Sequence, residues 1–231
     1  MIHIVVLSGG TGSRMGSSRP KQFLTLGGRP LLSHCLETFA QWSTPSKGGL
    51  VLVSHAEHLQ QTEALLKPVQ DHFAFVRLVT GGHTRHASSV NGALALEREC
   101  RSDDIVLFHD GARPFLSEDE LNGLTGSLSD DRYDCASLAS PATETIAVVD
   151  EDGQTVRDIP PRSRLFAVKT PQAIRGKLLP SFIAGAEPAS SYTDLLSWAK
   201  ANHCRSVIVP ASPRNVKVTH PDDLAFLESM I

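Results

Sequence analysis

LSGGTGSRMGSSRPKQ, residues 7–22, is the segment around which this chain is organised. It follows an apolar run, residues 2–7, that is typical of a buried parallel strand. Gly9, Gly10 and Gly12 let the backbone turn sharply and come close to a ligand. Arg14 and Lys21 then add two positive charges. Free backbone N–H groups beside two cations predict a cradle for a polyphosphate.

Two common phosphate-binding motifs do not fit this stretch. The P-loop requires a Gly-Lys-Ser/Thr triplet, which residues 7–22 lack. The dinucleotide fingerprint would need glycine at position 15, where Met15 stands. A Rossmann oxidoreductase is therefore disfavoured, and a plain glycine-rich turn rarely needs three glycines.

Composition narrows the class of protein. The chain has 231 residues, 41% of them hydrophobic, which predicts one α/β domain covering residues 1–231. A net charge of −3 gives no reason to expect a nucleic acid or an acidic membrane as a partner. The apolar N-terminus lacks a basic leader, no apolar run reaches membrane-spanning length, and the four cysteines form no C-x-x-C pair. We therefore expect a cytoplasmic protein.

Strands alternate with helices through the first half of the chain. Predicted strands at 49–54, 75–79 and 105–109 are separated by helices that begin at Pro30, near Glu57, after Arg85 and at the capping box of Ser117. This alternation indicates a mostly parallel sheet, in which ligands lie at the carboxyl ends of the strands. The glycine loop, the loop 81–85 and Asp110 all follow predicted strands, so we expect them to converge on one site.

The second half of the chain no longer shows a regular alternation of strands and helices. Residues 145–149 and 155–159, joined through Asp152 and Gly153, predict a β-hairpin within an arm at about 141–163. Such an exposed edge is commonly covered by another subunit. A strand at 165–169, helices at 177–184 and 193–202, a strand at 206–209 and a helix from Pro221 are expected to complete the chain.

Six motifs in a fixed order carry a family resemblance. They are GGTGSRMGSSRPKQF (9–23), GGHTRHASSVNG (81–92), HDGARPF (109–115), KTPQA (169–173), the tripeptide 192–194 and NVKVTHPDDL (215–224). In this order they resemble the cytidylyltransferases of sugar and polyol phosphates, above all the methylerythritol 4-phosphate cytidylyltransferase family of isoprenoid synthesis. The resemblance implies a three-layer α/β/α nucleotidyltransferase fold, Rossmann-like, with a mixed, mostly parallel sheet and a projecting β-hairpin arm that forms a homodimer. It also implies transfer of CMP from CTP to a polyol phosphate, with release of pyrophosphate.

The resemblance also implies roles for particular residues. The catalytic cations are expected to be Arg14, Lys21 and Lys217, and Asp110 is expected to bind Mg²⁺. CTP is expected to contact Ser8, Gly9, Gly10, Thr11, Gly12, Gly82, His83 and Ser88. The acceptor is expected to contact Asp110, Arg113, Thr145, Arg162, Thr170, Thr193 and Asp194, with Thr145 and Arg162 reaching the neighbouring subunit's site.

Several of these residues also have plainer interpretations. Asp110 or Ser88 could cap a turn, Lys217 or Arg162 could be a solvated charge, and Thr145 could be an ordinary strand residue. Asp194 could be a carboxylate at the start of a helix, where the dipole favours it. The pairs His55/His58 and His83/His86 have the spacing of metal ligands, but no third ligand is apparent, so zinc is not expected.

Three departures from the family pattern bear on the acceptor. Leu195 replaces a frequent carboxylate, Pro160 and Pro161 precede the arm arginine where the family has an aspartate, and His83 replaces a frequent acidic residue. The first two resemble the sister family that uses ribitol 5-phosphate, whereas Val168 and Lys169 do not. Methylerythritol 4-phosphate is the favoured acceptor and ribitol 5-phosphate the alternative. A catalytically silent nucleotide-binding module is the alternative of another class, and the joint presence of four charged site residues disfavours it: Arg14, Lys21, Asp110 and Lys217.

Overall fold

The chain folds around a seven-stranded sheet in a computed structural model, which describes residues 1–10, 20–44, 46–185 and 192–231. In chain order the strands are β1 (Ile2–Ser8), β2 (Thr25–Leu26), β3 (Arg29–Pro30), β4 (Lys47–Ser54), β5 (Val76–Thr80), β6 (Ile105–Asp110), β7 (Cys135–Pro141), β8 (Val148–Val149), β9 (Val156–Asp158), β10 (Phe166–Arg175) and β11 (Ser206–Pro210). The α-helices are α1 (Leu31–Gln41), α2 (Leu59–Leu66), α3 (Arg85–Leu94), α4 (Glu118–Ser127), α5 (Leu179–Ala184), α6 (Leu195–Ala201) and α7 (Pro221–Glu228).

The main sheet is mixed and mostly parallel, as expected. Its strand order is β11-β7-β10-β6-β1-β4-β5, and β10 alone runs antiparallel to its two neighbours. The short pairs β2–β3 and β8–β9 form two separate two-stranded sheets.

Helices cover both faces of the sheet because successive side chains of a strand point to opposite sides. Ile4 and Val6 of β1 pack into a core with α1 and α4. Val5, between them, packs into a second core with α3, α5 and α6, where Trp198 is fully buried. The predicted three-layer α/β/α arrangement is confirmed.

The register of the central strands brings three loops to one edge. Ser8 lies opposite Ser54, and Leu7 lies opposite Asp110, so β1, β4 and β6 end side by side. Ser54 lies opposite Thr80, which brings the loop after β5 to the same edge. Gly9 and Gly10, which begin the glycine loop, therefore meet the loop 81–85 and Asp110 at this edge, as the alternation of elements predicted.

The sequence interpretation was incomplete at β7 and β10. Strand β7, CASLASP, was missed because its small residues lack the β-branched and aromatic side chains that mark a strand. Strand β10 was predicted to end at Lys169 but continues to Arg175. Pro171 interrupts the strand pattern, and the register shift between Val168 and Gln172 accommodates it.

The predicted hairpin arm is present, with strands shorter than expected. Strands β8 and β9 pair antiparallel through the turn at Gly153, whose φ is +71°. In the described part of the chain, no helix combines the length and the apolar character needed to cross a membrane.

Candidate active site

An open pocket of about 530 Å³ lies at the shared edge where β1, β4 and β6 end. Both glycine backbone and charged side chains line it. The described lining residues are Leu7, Gly9, Gly10, Lys21, His55, Gly82, His83, Thr84, Arg85, Ser88, Asp110, Ala112 and Lys217. The pocket therefore unites three of the motifs found in the sequence with Lys217 from a fourth.

A second cavity, of about 350 Å³, opens at the opposite edge of the sheet, beside Ile2 and Ile105 at the starts of β1 and β6. Its described lining contains no lysine or arginine side chain. This second cavity does not suit an anionic ligand. The first pocket, which has lysine and arginine in its lining, is therefore the candidate site for a phosphate-containing ligand.

Asp110 is held among three cations at the end of β6. Lys217 Nζ donates to Oδ2 at 2.8 Å, and Arg85 donates to Oδ1 from Nε at 3.1 Å and from Nη2 at 3.0 Å. Arg113 Nε lies 3.8 Å from Oδ2, beyond hydrogen-bonding distance. Burial alone would raise the pKa of Asp110, but the charges of Arg85 and Lys217 hold it well below its usual range. The carboxylate is therefore ionised.

Arg85 is a site residue to which the sequence interpretation assigned no role. It is the first residue of α3, and its Nη1 also donates to the backbone oxygen of Thr193 at 3.3 Å. It thereby ties Asp110 to the segment that precedes α6. The available signal was its place in GGHTR, directly after a strand and at the start of a helix.

The loop after β5 is held in one conformation by Ser88. Ser88 Oγ accepts from Gly82 N at 3.1 Å and donates to Thr84 O at 2.9 Å. Thr84 caps α3 by accepting from Ala87 N at 3.0 Å. A Cβ at Gly82 would lie 2.5 Å from Ala87 Cβ, so only glycine fits. Ser88 therefore supports the wall of the pocket as well as lining it, whereas His83 is an exposed lining residue.

A neutral histidine, His109, is connected to the backbone of Asp110 through the Thr170 hydroxyl. His109 Nε2 donates to Arg113 O at 3.0 Å, while His109 Nδ1 lies 3.2 Å from Thr170 Oγ1. Thr170 Oγ1 also accepts from Asp110 N at 3.1 Å, so its own proton goes to His109. Burial lowers the pKa of His109 to about 4. The imidazole is therefore neutral at pH 7, as this chain of bonds requires.

Arg113 is fixed by a second buried network, centred on Asn215. Arg113 Nη1 donates to Asn215 O at 3.2 Å and to Asn215 Oδ1 at 3.3 Å. Asn215 Nδ2 donates to Thr170 O at 2.9 Å and to Glu120 Oε1 at 3.2 Å. Asn215 stands two residues before Lys217, so this network also anchors the segment that carries the lysine. Neither Asn215 nor Glu120 was identified from the sequence.

Near the glycine loop, some predicted residues can be placed. Gly9, Gly10 and Lys21 line the pocket. Gln22, next to Lys21, donates through Nε2 to Ser8 O at 2.9 Å and holds this segment at the end of β1. Ser8 itself is buried. The predicted residues Thr11, Gly12 and Arg14 lie outside the described residues.

The predicted acceptor residues fall into two groups. Asp110 lines the pocket, and Arg113 and Thr170 are buried beside it, with the Thr170 hydroxyl already bonded. Thr193 contributes a backbone oxygen to Arg85. Thr145 and Arg162 are exposed on the arm, where Arg162 Nη1 donates to Thr143 O at 3.0 Å. Neither arm residue lines the pocket of its own chain.

Asp194 has a structural role in the fold. It caps α6 by accepting from Ser197 N at 2.8 Å, and its other oxygen accepts from Gln172 Nε2 at 3.0 Å. The plainer interpretation, a carboxylate at the start of a helix, is confirmed. Its predicted contact with the acceptor remains a prediction, made less favourable because both oxygens are bonded.

Comparison with known proteins identifies a family that matches nearly the whole chain. Residues 2–231 match the sequence model of the family described as IspD, 2-C-methyl-D-erythritol 4-phosphate cytidylyltransferase. A relative of that name from Leptospira interrogans (strain Fiocruz L1-130) is 39% identical over 227 residues, which cover 98% of this chain and 91% of the relative. One from Halalkalibacterium halodurans is 33% identical over 234 residues, covering 99% and 96%.

Solved structures share the fold. A crystal structure of 2-C-methyl-D-erythritol 4-phosphate cytidylyltransferase from Francisella tularensis superposes with a TM-score of 0.79 at 23% identity, covering 100% of this chain and 99% of that one. The structure of 4-diphosphocytidyl-2C-methyl-D-erythritol synthase from Anaerococcus prevotii gives 0.79 at 23% identity, covering 99% and 97%. These similarities concern the fold, and the predicted nucleotidyltransferase-like class is confirmed.

Proposed function

Because the chain belongs to the 2-C-methyl-D-erythritol 4-phosphate cytidylyltransferase family, we propose that it transfers CMP from CTP to 2-C-methyl-D-erythritol 4-phosphate. The products are CDP-methylerythritol, an isoprenoid precursor, and pyrophosphate. One observation at the site carries the proposal: Lys21, Arg85 and Lys217 surround a glycine-lined pocket of about 530 Å³ at the strand ends. Such a pocket suits a nucleoside triphosphate.

The reaction is a displacement at the α-phosphorus of CTP. An oxygen of the acceptor phosphate forms the new bond to phosphorus, and the bond to the β-phosphate oxygen breaks as pyrophosphate leaves with its electron pair. The attacking phosphate is already an anion, so the reaction needs no general base. The protein's tasks are to bring two anions together and to stabilise the charge that develops.

The cations around the pocket suit these tasks. Lys21 and Lys217 come from opposite ends of the chain and both line the pocket, where we place the phosphates of CTP. Arg14, which belongs to the same sequence motif as the glycines, is proposed to contact the triphosphate because of the family resemblance of that motif. The backbone of Gly82 and the side chains of His83 and Ser88 are proposed to recognise cytosine and ribose.

Asp110 is the residue that would hold Mg²⁺. Magnesium binds through one or two carboxylates together with substrate phosphates, so a single carboxylate is a sufficient protein ligand. Asp110 fits because it is ionised and accepts three hydrogen bonds from Arg85 and Lys217, while a carboxylate offers about four lone-pair sites. When bound, the ion supplies positive charge to the phosphate oxygens.

The arm is proposed to complete the acceptor site across a homodimer. Large apolar side chains are unusually exposed on the arm and where it rejoins the sheet: Ile146, Val149, Val156, Ile159, Phe166 and Val168. An apolar surface of this kind favours contact with a second copy of the chain. In that arrangement Thr145 and Arg162 would reach the acceptor phosphate in the neighbouring pocket, while Arg113, Thr170, Thr193 and Asp194 shape the pocket from their own chain.

One assay separates this function from its alternatives. The purified protein is given CTP and Mg²⁺ with 2-C-methyl-D-erythritol 4-phosphate or ribitol 5-phosphate, and pyrophosphate is measured. We expect release with methylerythritol phosphate, and a much lower kcat/KM with ribitol phosphate, because the matching family and relatives carry the methylerythritol name. Preferred use of ribitol phosphate would reassign the acceptor, and no release with either would favour a silent nucleotide-binding module.

A further inference from the structure

Three side chains with metal-binding atoms meet on the turn that follows β4. The ligand atoms of His55, Glu57 and His58 all lie within 4.8 Å of one another. The sequence interpretation found the two histidines but no third ligand. The fold supplies it, because residues 56–58 form one turn of 3₁₀ helix immediately after the strand.

The local backbone explains why these side chains converge. In a 3₁₀ turn, residues three apart lie on the same side, which brings His55 and His58 together with ring centroids 5.8 Å apart. Glu57 Oε2 lies 3.9 Å from His55 Nδ1. The His58 ring packs edge-on against Phe23 at 5.5 Å, and Phe23 is buried. One imidazole is therefore oriented by the core, while the other two ligands lie at the surface.

We propose that His55, Glu57 and His58 bind a divalent transition-metal ion of the zinc class. Two imidazoles and one carboxylate form a recurrent zinc ligand set that leaves a coordination position open. Zinc–ligand bonds of about 2.0–2.2 Å in tetrahedral geometry place ligand atoms about 3.3 Å apart. The observed separations need to close by about 1.5 Å at most, which side-chain rotation on this partly exposed turn provides.

The ligand atoms are available. His55 Nδ1 holds one long hydrogen bond, from Glu57 N at 3.3 Å, which a metal bond replaces at little cost because that N–H lies at the surface. The Glu57 side chain is 80% exposed, so its carboxylate is accessible to an ion from solvent.

The site lies at the rim of the candidate active site. His55 lines that pocket, and a Cβ placed on Gly9 would come within 3.8 Å of His55 N. The three ligands are separate from Asp110, to which we assign magnesium. The proposal requires no nucleotide, so its test is independent of the proposed transfer reaction.

The other metal-ligand group found in the described part of the chain is a poor competitor. It comprises His3, Cys100 and Asp104. His3 is fully buried, with Nε2 paired to Asp104 at 3.2 Å and Nδ1 accepting from Gly49 N at 3.0 Å. Both ring nitrogens are therefore occupied, and we expect a single zinc ion per chain.

The test is calorimetric titration of the nucleotide-free protein with Zn²⁺, repeated with Co²⁺ to record its visible absorption bands. We expect one ion per chain. His55→Ala and His58→Ala should each weaken binding by at least about tenfold, since even changes outside the ligand shell cost about 10–100-fold. Glu57→Gln, at an exposed position that leaves the fold intact, should also weaken it and should change the Co²⁺ spectrum.

His72→Ala is the matched control, because His72 is another exposed histidine at the end of a short 3₁₀ helix. It should bind Zn²⁺ like the unaltered protein. Absence of Zn²⁺ binding, or binding that Glu57→Gln and both histidine variants leave unchanged, would overturn the proposal. Equal weakening by His72→Ala would overturn it as well.

Discussion

At the scale of single residues, the site depends on how each charge is held. Asp110 stays ionised although it is buried, because Arg85 and Lys217 bond its two oxygens. Arg85 provides two of those bonds and continues to Thr193 O. The same side chain thus sets the position of Asp110 and adds positive charge to the pocket.

Arg85→Ala is expected to lower kcat by about 10²–10³-fold, the usual cost of removing one charge-stabilising donor. Arg85→Lys should recover only part of the loss, because an ammonium group cannot reproduce the forked contact with Oδ1 and Thr193 O. Pyrophosphate release at saturating CTP and acceptor measures the effect. Arg98→Ala, at an exposed position outside the pocket, is the control and should be near normal. Normal turnover in Arg85→Ala would show that Arg85 does not contribute to the reaction.

The lowered pKa of His109 predicts how the free energy of unfolding depends on pH. Its pKa falls from the unperturbed 6.5 to about 4 on burial, so between these values the unfolded chain binds a proton that the folded chain does not. The free energy of unfolding should therefore decrease as the pH falls through this window, with about 3 kcal/mol attributable to His109. Denaturant unfolding at a series of pH values measures it.

Replacing the histidine tests that attribution. His109→Gln should reduce the slope of the free energy of unfolding against pH in this window. His72→Gln, at an exposed histidine, should leave that slope unchanged. The burial of His3 and His86 lowers their pKa values too, so part of the slope should persist in His109→Gln. Stability that increases on acidification through the window would contradict the neutral, buried imidazole.

At the scale of elements, the strands determine where the site residues lie. The sequence predicted correctly that Gly9, Gly10, the loop 81–85 and Asp110 converge, because each lies at or just after the carboxyl end of a strand and parallel neighbours end at one edge. Strand β7 was missed because Cys, Ala and Ser carry no strand pattern. The exact extent of the arm strands was likewise not predictable from their exposed residues.

The hydrogen-bond networks around Asp110 and Asn215 could not be predicted from the sequence, because their members are far apart along the chain. Arg85 and Asp110 are 25 residues apart, and Arg113 and Asn215 are 102 apart. No local periodicity or spacing links such pairs. Asn215 nevertheless connects Arg113, Thr170 and Glu120, which lie on or beside three different elements.

Asn215→Ala is expected to decrease the free energy of unfolding by about 1–3 kcal/mol, because it removes the bond that the buried Thr170 O accepts from Asn215 Nδ2. It should also raise the KM for the acceptor, because Arg113 Nη1 loses its bond to Asn215 Oδ1 and keeps only the one to Asn215 O. Denaturant unfolding and steady-state kinetics measure the two effects.

Asn91→Ala is the control for this prediction. It removes one bond, from Nδ2 to Thr80 O at 2.9 Å, at a less buried position outside the network. We expect a smaller loss of stability and an unchanged acceptor KM. Equal effects in the two variants would show that Asn215 does not position Arg113.

At the scale of the whole molecule, the arm is the feature that one chain does not explain. It carries exposed apolar side chains, among them Ile159 at 58% exposure, and the predicted acceptor residue Arg162. If two copies exchange arms, each active site combines Lys21 of one chain with Arg162 of the other. A dimer formed from one Lys21→Ala chain and one Arg162→Ala chain therefore tests whether the two residues act in the same site.

Lys21→Ala and Arg162→Ala should each be nearly inactive alone, yet regain activity when mixed. In a two-fold dimer, half of the re-associated molecules are mixed and each has one intact site, so about a quarter of the normal activity should return. Pyrophosphate release after mixing measures it. Recovery should be lost when both variants also carry Ile159→Asp but retained with Leu94→Asp, an exposed apolar control outside the arm. No recovery in the parent mixture would contradict the shared site.

Catalysis of CMP transfer by the cationic pocket at the strand ends is the property on which the proposed function depends. Its most direct test is the rate of pyrophosphate release from CTP and methylerythritol phosphate by the normal protein, Lys21→Ala and Asp110→Asn, with Lys67→Ala as the exposed control. We predict losses of about 10²–10³-fold in the two pocket variants and none in the control. Near-normal rates in both pocket variants would contradict catalysis by this pocket.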